Sequence, residues 1–181
     1  MNLKETQISS ALAYDGNFLK IRKDHARMPD GSISTREYIN HPGAVAILAI
    51  LDNGKLIMER QFRYAPQREF VEIPAGKIDP GEDILLTAQR ELLEETGYVA
   101  KEWTHITTAW PCIGYADERL EYFIARDLTH QGSQLDEGEF LEVFELDVDE
   151  AIDWVRLGKI TDSKTIVGLF WLEKTLKGWA A

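Results

Sequence analysis

Three glutamates in the middle of the chain, Glu91, Glu94 and Glu95, have a spacing that can gather carboxylates on one side of a helix. Residues three and four apart are neighbours on a helix surface, so Glu91 and Glu95 would lie one turn apart with Glu94 beside them. Like charges at this spacing cost about 0.2–0.5 kcal/mol per pair unless a cation lies between them. Carboxylates are also ligands that Mg²⁺ takes, together with water and substrate phosphates. The spacing therefore indicates either a solvated acidic face or a divalent-cation site.

The segment around these glutamates predicts a helix over residues 83–96, DILLTAQRELLEET. It is rich in strong helix formers, and Leu85, Ala88 and Leu92 mark one buried stripe. Gly97 directly afterwards is typical of a helix C-terminus. The turn Asp79-Pro80-Gly81 precedes the helix, so the acidic residues are expected in a loop–helix–loop segment.

The whole segment resembles the signature of the Nudix hydrolases. Gly76 is followed by five residues and Glu82, then by seven residues and RELLEETGY at 90–98. Every fixed position matches, while Tyr98 stands where an aliphatic residue is usual. The resemblance implies an α+β Nudix fold, in which a mixed β-sheet lies between α-helices, and cleavage of a nucleoside diphosphate linked to another moiety.

Carried over residue by residue, the resemblance implies a metal centre of Mg²⁺ or Mn²⁺ with two or more ions. The implied metal ligands are Glu91, Glu95, the backbone carbonyl of Ala75, and Glu139. The implied catalytic and assisting groups are Glu137 as general base, Glu94 and Glu82 beside the metals, and Arg90, which steers a carboxylate. A general base on a loop needs reach more than a shifted pKa.

Segments outside the signature resemble the ADP-ribose and nucleoside-diphosphate-sugar pyrophosphatase branch of that family. These are QFRYAPQREFVEIPAGKID at 61–79 and LDEGEFLEV at 135–143. The first implies that Arg63 and Glu72 contact substrate, and the second contains Glu137 and Glu139. Without the resemblance, such an acidic loop would be interpreted as solvated.

Further substrate contacts are implied nearer the N-terminus and in the segment 110–118. Arg36 matches an arginine that reaches the substrate base, often from the partner subunit, and Glu118 matches a glutamate near the terminal ribose. Phe18, Trp110 and Tyr115 could stack on a nucleobase, or belong to the core. The proline that marks ADP-ribose specificity in this branch falls on Ile113, with Pro111 two residues earlier, which leaves the sugar open.

The remaining pattern predicts the elements that must position these residues. A strand pair is expected in the N-terminal region, residues 1–42, around the turn at 29–31. The predicted hairpin strands are 44–51 and 55–62, the former central because it is apolar on both faces. Further strands are predicted at 70–73, 103–110, 119–126 and 140–146, and helices at 148–157 and 162–176. Residues 43–181 would form the hydrolase domain and 1–42 a dimerisation region, within one structural unit overall.

Composition and net charge argue against several classes of protein. The chain has 181 residues, 44% of them hydrophobic, and a net charge of −11 that argues against binding nucleic acid. Of its 31 acids, 15 lie within 76–97 and 135–153, and most of those after Leu135 are expected to be solvated. The single Cys112 cannot form an internal disulfide, and no apolar run is long enough to span a bilayer. A cytoplasmic protein without a membrane segment is predicted.

The leading hypothesis is Mg²⁺-dependent hydrolysis of ADP-ribose to AMP and ribose 5-phosphate by metal-activated water, in a homodimer whose N-terminal strands complete each other's sites. The first alternative is a pyrophosphatase acting on a nucleotide sugar such as GDP-mannose. A ligand-binding regulator without catalysis would be expected to have lost signature glutamates, and all of them are present. An enzyme acting on oxidised nucleoside triphosphates would be expected to lack the N-terminal strands.

Overall fold

The computed structural model describes residues 2–132, 135, 138 and 140–179. The chain divides into two compact units. The first comprises Met1–Gly43 and Trp110–Arg119, and the second comprises Ala44–Ala109 and Leu120–Ala181.

The first unit contains an antiparallel sheet of three strands in the order β1-β2-β3. The strands are β1 (Thr6–Asp15), β2 (Lys20–Arg27) and β3 (Ile33–Asn40). The sequence predicts a strand pair here, and the structure has one strand more. Every residue of β1, TQISSALAYD, is exposed, and Ser10 interrupts the alternation of Ile8, Leu12 and Tyr14, so the period-two pattern of a half-buried strand is incomplete.

Within its described residues, the second unit contains seven strands in two sheets, and three helices. The strands are β4 (Ala44–Ala49), β5 (Leu56–Arg63), β6 (Arg68–Glu72), β7 (Ala75–Lys77), β8 (Tyr98–Ala109), β9 (Leu120–His130) and β10 (Leu141–Leu146). The helices are α1 (Ile84–Thr96), α2 (Val148–Arg156) and α3 (Ser163–Leu176). A four-stranded sheet has the order β7-β4-β9-β8, and a three-stranded sheet the order β10-β5-β6. The first is mixed, because β4 runs parallel to β9 while the other pairs are antiparallel.

The two faces of the mixed sheet are covered by different helices. Alternate residues of β4 point to opposite faces, so Val45 and Ile47 pack with Leu92 of α1. Leu48 packs on the other side with Leu169 of α3. The predicted α+β arrangement, a mixed sheet between helices, is confirmed.

The predicted hairpin of 44–51 and 55–62 is wrong in its pairing. The turn forms, with the Leu51 N–H donating to the Lys55 carbonyl over 2.9 Å, but the strands pair only through the bridge of Ile50 with Leu56. Beyond it, β4 and β5 enter different sheets. Strand β4 lies between β7 and β9, which confirms its central position and leaves neither of its edges for β5.

The predicted helices are confirmed to within two residues at their ends. Asp83 caps α1 by accepting from the N–H groups of Leu85 and Leu86, and Gly97 ends it in the left-handed conformation, with φ of 74°. No helix of the described residues is long and apolar enough to cross a membrane.

Candidate metal and substrate site

The guanidinium of Arg90 joins three of the signature glutamates. Its Nε and Nη2 donate to the two carboxylate oxygens of Glu82 over 3.1 and 3.0 Å. Its Nη1 donates to Glu91 over 2.8 Å and to Glu94 over 2.9 Å. Helix α1 presents Arg90, Glu91 and Glu94 together, while Glu82 lies just before the helix. Arg90 therefore contacts the carboxylates that it is predicted to steer, and its steering role stays a prediction.

These contacts also fix the charge state of the cluster. The hydrogen bonds from Arg90, followed by the one from the buried Thr87 hydroxyl, lower the pKa of Glu82 to about 2. The pKa of Arg90 is raised, chiefly by Glu82 and further by Glu91 and Glu94, against the opposing effect of burial. Glu82 and Arg90 are consequently ionised at neutral pH.

The carboxylate of Glu91 lies directly against the backbone of Gly76. A Cβ atom placed on Gly76 would be 1.8 Å from Cδ of Glu91 and 2.1 and 2.2 Å from its two oxygens. Any side chain at position 76 would therefore displace Glu91. This contact supplies a physical reason for the glycine that begins the signature.

Glu95 is held against the residue before that glycine. The backbone N–H of Ala75 donates to its Oε2 over 3.0 Å, and the side chain is almost completely buried. Glu91 and Glu95, one helical turn apart, thus lie against two consecutive backbone residues of β7. The structure brings together Ala75, Glu91 and Glu95, the three predicted metal ligands within its described residues.

The donor chemistry of this cluster fits a hard divalent cation. The candidate ligands are two carboxylates and a backbone carbonyl, all oxygen donors of the kind that Mg²⁺ and Mn²⁺ take. Within the described residues no three acidic, histidine or cysteine side chains form a ready-made metal site. The Arg90 guanidinium contacts one of the two candidate carboxylate ligands, Glu91, together with Glu82 and Glu94.

A second cluster contains the predicted substrate residues Arg63 and Glu72. Arg63 donates from Nε and Nη2 to the two oxygens of Glu72, over 2.8 and 2.7 Å. Lys164 also donates to Glu72, whose side chain is only 4% exposed. Burial opposes ionisation of Glu72, but Arg63 and Lys164 outweigh it and lower the pKa. The pKa of Arg63 is raised, first by Glu72 and further by Glu95, so the two clusters interact electrostatically.

The N-terminus of α3 connects this cluster to the segment that leads into β7. Asp162 caps α3 by accepting from the N–H and the hydroxyl of Thr165 over 3.0 and 2.7 Å. Thr165 in turn accepts from the backbone N–H of Ile73 over 3.0 Å. A cavity of about 410 Å³ lies beside these groups, with Arg63, Phe70, Glu72, Asp162 and Lys164 among its lining residues.

In the first unit, the predicted base-contacting Arg36 is bound to Glu5. Two hydrogen bonds join them, from Nε over 2.8 Å and from Nη2 over 2.7 Å. Both residues line a cavity of about 340 Å³, together with Tyr38 and Tyr115. The ion pair is exposed, so it is expected to contribute little to stability and to be open to exchange for a ligand.

Phe18 and Glu118 are brought together through His41. The rings of Phe18 and His41 meet edge to face with centroids 6.3 Å apart, and Nδ1 of His41 is 3.8 Å from Oε1 of Glu118. Trp110 and Tyr115 are exposed, which allows the stacking role and disfavours the core interpretation.

Two predicted site residues, Glu137 and Glu139, lie outside the described residues, so their roles stay predictions. Sequence reasoning missed Lys164, Asp162, Thr165 and Glu5. Asp162 carries a signal, since aspartate directly before a helix is a preferred N-cap residue. Lys164 and Glu5 have no such signal, because their partners lie 92 and 31 residues away in the chain.

Comparison with known proteins identifies the family. A family model described as the NUDIX domain matches residues 40–166, and the chain belongs to the Nudix family. Residues 5–39 match a second model, the nucleoside diphosphate sugar hydrolase N-terminal domain.

Relatives match over nearly the whole chain. The ADP-ribose pyrophosphatase of Bacillus subtilis (strain 168) is 41% identical over 95% of this chain and 94% of its own length. The methanol dehydrogenase activator of Bacillus methanolicus is 37% identical over 94% and 93%. The crystal structure of an ADP compounds hydrolase superimposes with a TM-score of 0.87 at 23% identity, covering 98% of this chain and 97% of the other, and shows the shared fold. The protein is thus a Nudix hydrolase, of a family that generally depends on divalent metals and acts on nucleoside diphosphate derivatives.

Proposed function

We propose that the protein hydrolyses the diphosphate bond of ADP-ribose to give AMP and ribose 5-phosphate, with Mg²⁺ as its metal. The observation that carries the chemistry is the placement of Glu91 and Glu95 against Gly76 and Ala75, beside a guanidinium that meets three carboxylates. The choice of substrate is supported by the Bacillus subtilis relative, which is named an ADP-ribose pyrophosphatase.

In this proposal Glu91, Glu95, the Ala75 carbonyl and Glu139 would hold two or more divalent cations. When bound, such cations neutralise the diphosphate, lower the pKa of a coordinated water and stabilise the leaving phosphate. The chain's own residues set the geometry: Gly76 lets Glu91 approach the backbone, the Ala75 N–H fixes Glu95, and Arg90 orients Glu91 and Glu94. Glu82 in turn holds Arg90 with two hydrogen bonds.

Each unit of the chain contains proposed substrate contacts of its own. Arg63 would bind the diphosphate, because its Nη1 has no hydrogen bond to any described residue while Nε and Nη2 are held by Glu72. On the first unit, Arg36, Phe18, Trp110 and Glu118 would contact the nucleoside and the terminal ribose. Arg36 would exchange its exposed partner Glu5 for the ligand.

Glu137 is proposed as the general base that takes a proton from the attacking water. Its test is the Glu137→Gln variant, whose kcat should fall at least about 100-fold at saturating Mg²⁺, in line with the usual size of general-base catalysis. The matched control is Glu142→Gln, since Glu142 is exposed and paired with Arg60. Full turnover by Glu137→Gln would remove this residue as the base.

A second candidate is hydrolysis of another nucleoside-diphosphate sugar, such as GDP-mannose. It is favoured by the match of residues 5–39 to the nucleoside diphosphate sugar hydrolase N-terminal domain, and by Ile113 at the place of the branch's usual proline. Specificity constants over ADP-ribose, GDP-mannose, NADH and a nucleoside triphosphate decide between them. ADP-ribose should have the highest kcat/KM, and a higher value for GDP-mannose would overturn the first choice.

Binding of ADP-ribose without turnover in Mg²⁺ would instead support a ligand-binding regulator.

We further propose a homodimer formed through the N-terminal region, residues 1–42. Strands β1 to β3 are fully described, and Asp24 and Ala26 are their only buried residues. A three-stranded sheet with so little buried surface is expected to pack against another surface. A second copy of the chain would supply that surface and would bring Arg36 to the partner's site.

A further inference from the structure

A lysine outside the Nudix signature binds the same carboxylate as Arg63, the proposed substrate-binding arginine. Lys164 lies at the start of α3 with its side chain 14% exposed, and its ammonium group donates to Glu72 and, over 2.9 Å, to Asp162. Glu72 accepts hydrogen bonds from Arg63 at both of its carboxylate oxygens. Lys164 and Arg63 therefore hold the same buried carboxylate.

The charges of this cluster balance only with the lysine present. Arg63 and Lys164 supply two positive charges, and Glu72 and Asp162 supply two negative ones. Without Lys164 the four positions would carry a net charge of −1 beside the place where an anionic diphosphate is proposed to bind. Loss of Lys164 would add repulsion between the cluster and an anion, and it would also leave Glu72 less firmly held. Each of these changes would weaken binding of an anion.

The same helix end is also held by hydrogen bonds that do not involve the lysine. Asp162 accepts from the N–H and hydroxyl of Thr165, and the Thr165 hydroxyl accepts from Ile73, which anchors α3 to the segment before β7. Loss of Lys164 removes one of three donors to the Asp162 oxygen that caps α3 and leaves the two from Thr165. Its removal should change the setting of Glu72 and Arg63 without dismantling the sheet that carries the metal ligands.

We propose that Lys164 is a positioning residue, which holds the Glu72 carboxylate so that Arg63 presents to the substrate diphosphate its Nη1, which has no hydrogen bond to any described residue. This inference rests on the proposed function, in which Arg63 binds the diphosphate. Lys164 does not touch the reacting atoms, so it acts on substrate affinity and leaves the chemical step to the signature residues.

The test compares Lys164→Met, which removes the charge at similar length, with Lys164→Arg, which keeps it. In Lys164→Met the KM for ADP-ribose should rise about 10-fold while kcat stays within about twofold, because a charged hydrogen-bonded group is lost from binding alone. Lys164→Arg should recover part of the loss. The control Lys159→Met changes an exposed lysine that lies over the Trp154 ring, and it should keep both constants.

A second readout is independent of activity. In ¹⁵N NMR spectra, solvent exchange of the Arg63 Nε–H, which donates to Glu72, should be at least about 10-fold faster in Lys164→Met than in the wild type. A folded Lys164→Met protein with wild-type KM and wild-type exchange would overturn the inference. This holds even if the variant is less stable to heat than the wild type. If the methionine variant does not fold, Lys164→Gln is measured in the same way. If the wild type does not cleave ADP-ribose, the proposed function fails and the exchange rate alone decides the role of Lys164.

Discussion

The Glu91 carboxylate rests on the backbone of Gly76, at a distance that leaves no room for a Cβ atom. Glu95 accepts from the N–H of the preceding residue, Ala75. A proposed metal ligand such as Glu91, which depends on this close approach, is sensitive to one methyl group at position 76, because its carboxylate has to move out of its place. The requirement for glycine here is steric, since the contact involves a side chain from another element.

The Gly76→Ala variant tests this contact. Its Mn²⁺ affinity should fall about 10- to 100-fold, the usual effect of disturbing the groups that orient a metal ligand. Titration calorimetry with Mn²⁺ measures it. Gly114→Ala is the control, since a Cβ there meets nothing within 4 Å, and it should bind Mn²⁺ as the wild type does. Equal affinity in Gly76→Ala would contradict the proposed role of Glu91.

The ion pair of Glu82 and Arg90 makes a prediction for stability against pH. The pKa of Glu82 is lowered from 4.5 to about 2 in the folded protein, so its ionised form stabilises the fold. That contribution is complete above the unfolded value and is lost as the pH falls from about 4.5 towards 2. The difference in unfolding free energy between the wild type and Glu82→Gln, from urea denaturation, should therefore shrink over that range. A difference independent of pH between 2 and 7 would contradict the shift.

At the level of single residues, the sequence predicted most of the candidate site because the signature is local. Glu82, Arg90, Glu91, Glu94 and Glu95 lie within 14 consecutive positions, and the structure places them together. Lys164 could not be predicted in this way, because its contact with Glu72 depends on how α3 packs against the end of β6. The roles themselves remain predictions until the variants are measured.

Among the elements, α1 carries the site and begins at a cap that can be removed without touching a proposed ligand. Asp83 accepts from the N–H groups of Leu85 and Leu86, whereas Asp147 at the start of α2 makes no such hydrogen bond. Asp83→Ala should lower the unfolding free energy by about 1 kcal/mol. Asp147→Ala should cost clearly less in the same urea titration. Equal losses in the two variants would show that the cap geometry does not determine the stability.

The elements also show where sequence patterns are insufficient. The hairpin signal at 52–54 correctly predicted a turn, but the two sides of the turn pair with different strands because β4 has both edges occupied. Pairing partners across 44–49 and 120–125 are distant in the chain and leave no local signal. Strand β1 was missed as a separate strand because Ser10 interrupts the alternation of Ile8, Leu12 and Tyr14, and the residues 11–14 are all apolar. A pattern broken in this way does not distinguish a strand from an irregular segment.

For the whole molecule, the net charge of −11 divides into parts with different origins. The acids of the Nudix signature are paired with Arg90 or held against β7. Six acids of the later acidic segment are exposed, as expected for a solvated surface: Glu142, Glu145, Asp147, Asp149, Glu150 and Asp153. The net charge of the whole chain therefore does not predict whether it binds phosphate ligands. The location of each carboxylate is more informative.

The proposed dimer predicts the mass of the protein in solution. Sedimentation should give twice the chain mass of 20.6 kDa, and Leu12→Asp, which places a charge on the exposed strand β1, should shift the protein towards monomer. Leu157→Asp is the control, because Leu157 is an exposed leucine outside the N-terminal region and should leave the dimer intact. A wild-type protein that sediments as a monomer at micromolar concentration would contradict the dimer.

The central claim is that this chain cleaves the diphosphate of ADP-ribose with the help of divalent metal. The most direct measurement is mass spectrometry of the products after incubation of ADP-ribose with the protein and Mg²⁺, with and without excess chelator. We predict AMP and ribose 5-phosphate in equal amounts, and no turnover with the chelator. Intact ADP-ribose in the presence of Mg²⁺, or unchanged turnover in the chelator, would contradict the account.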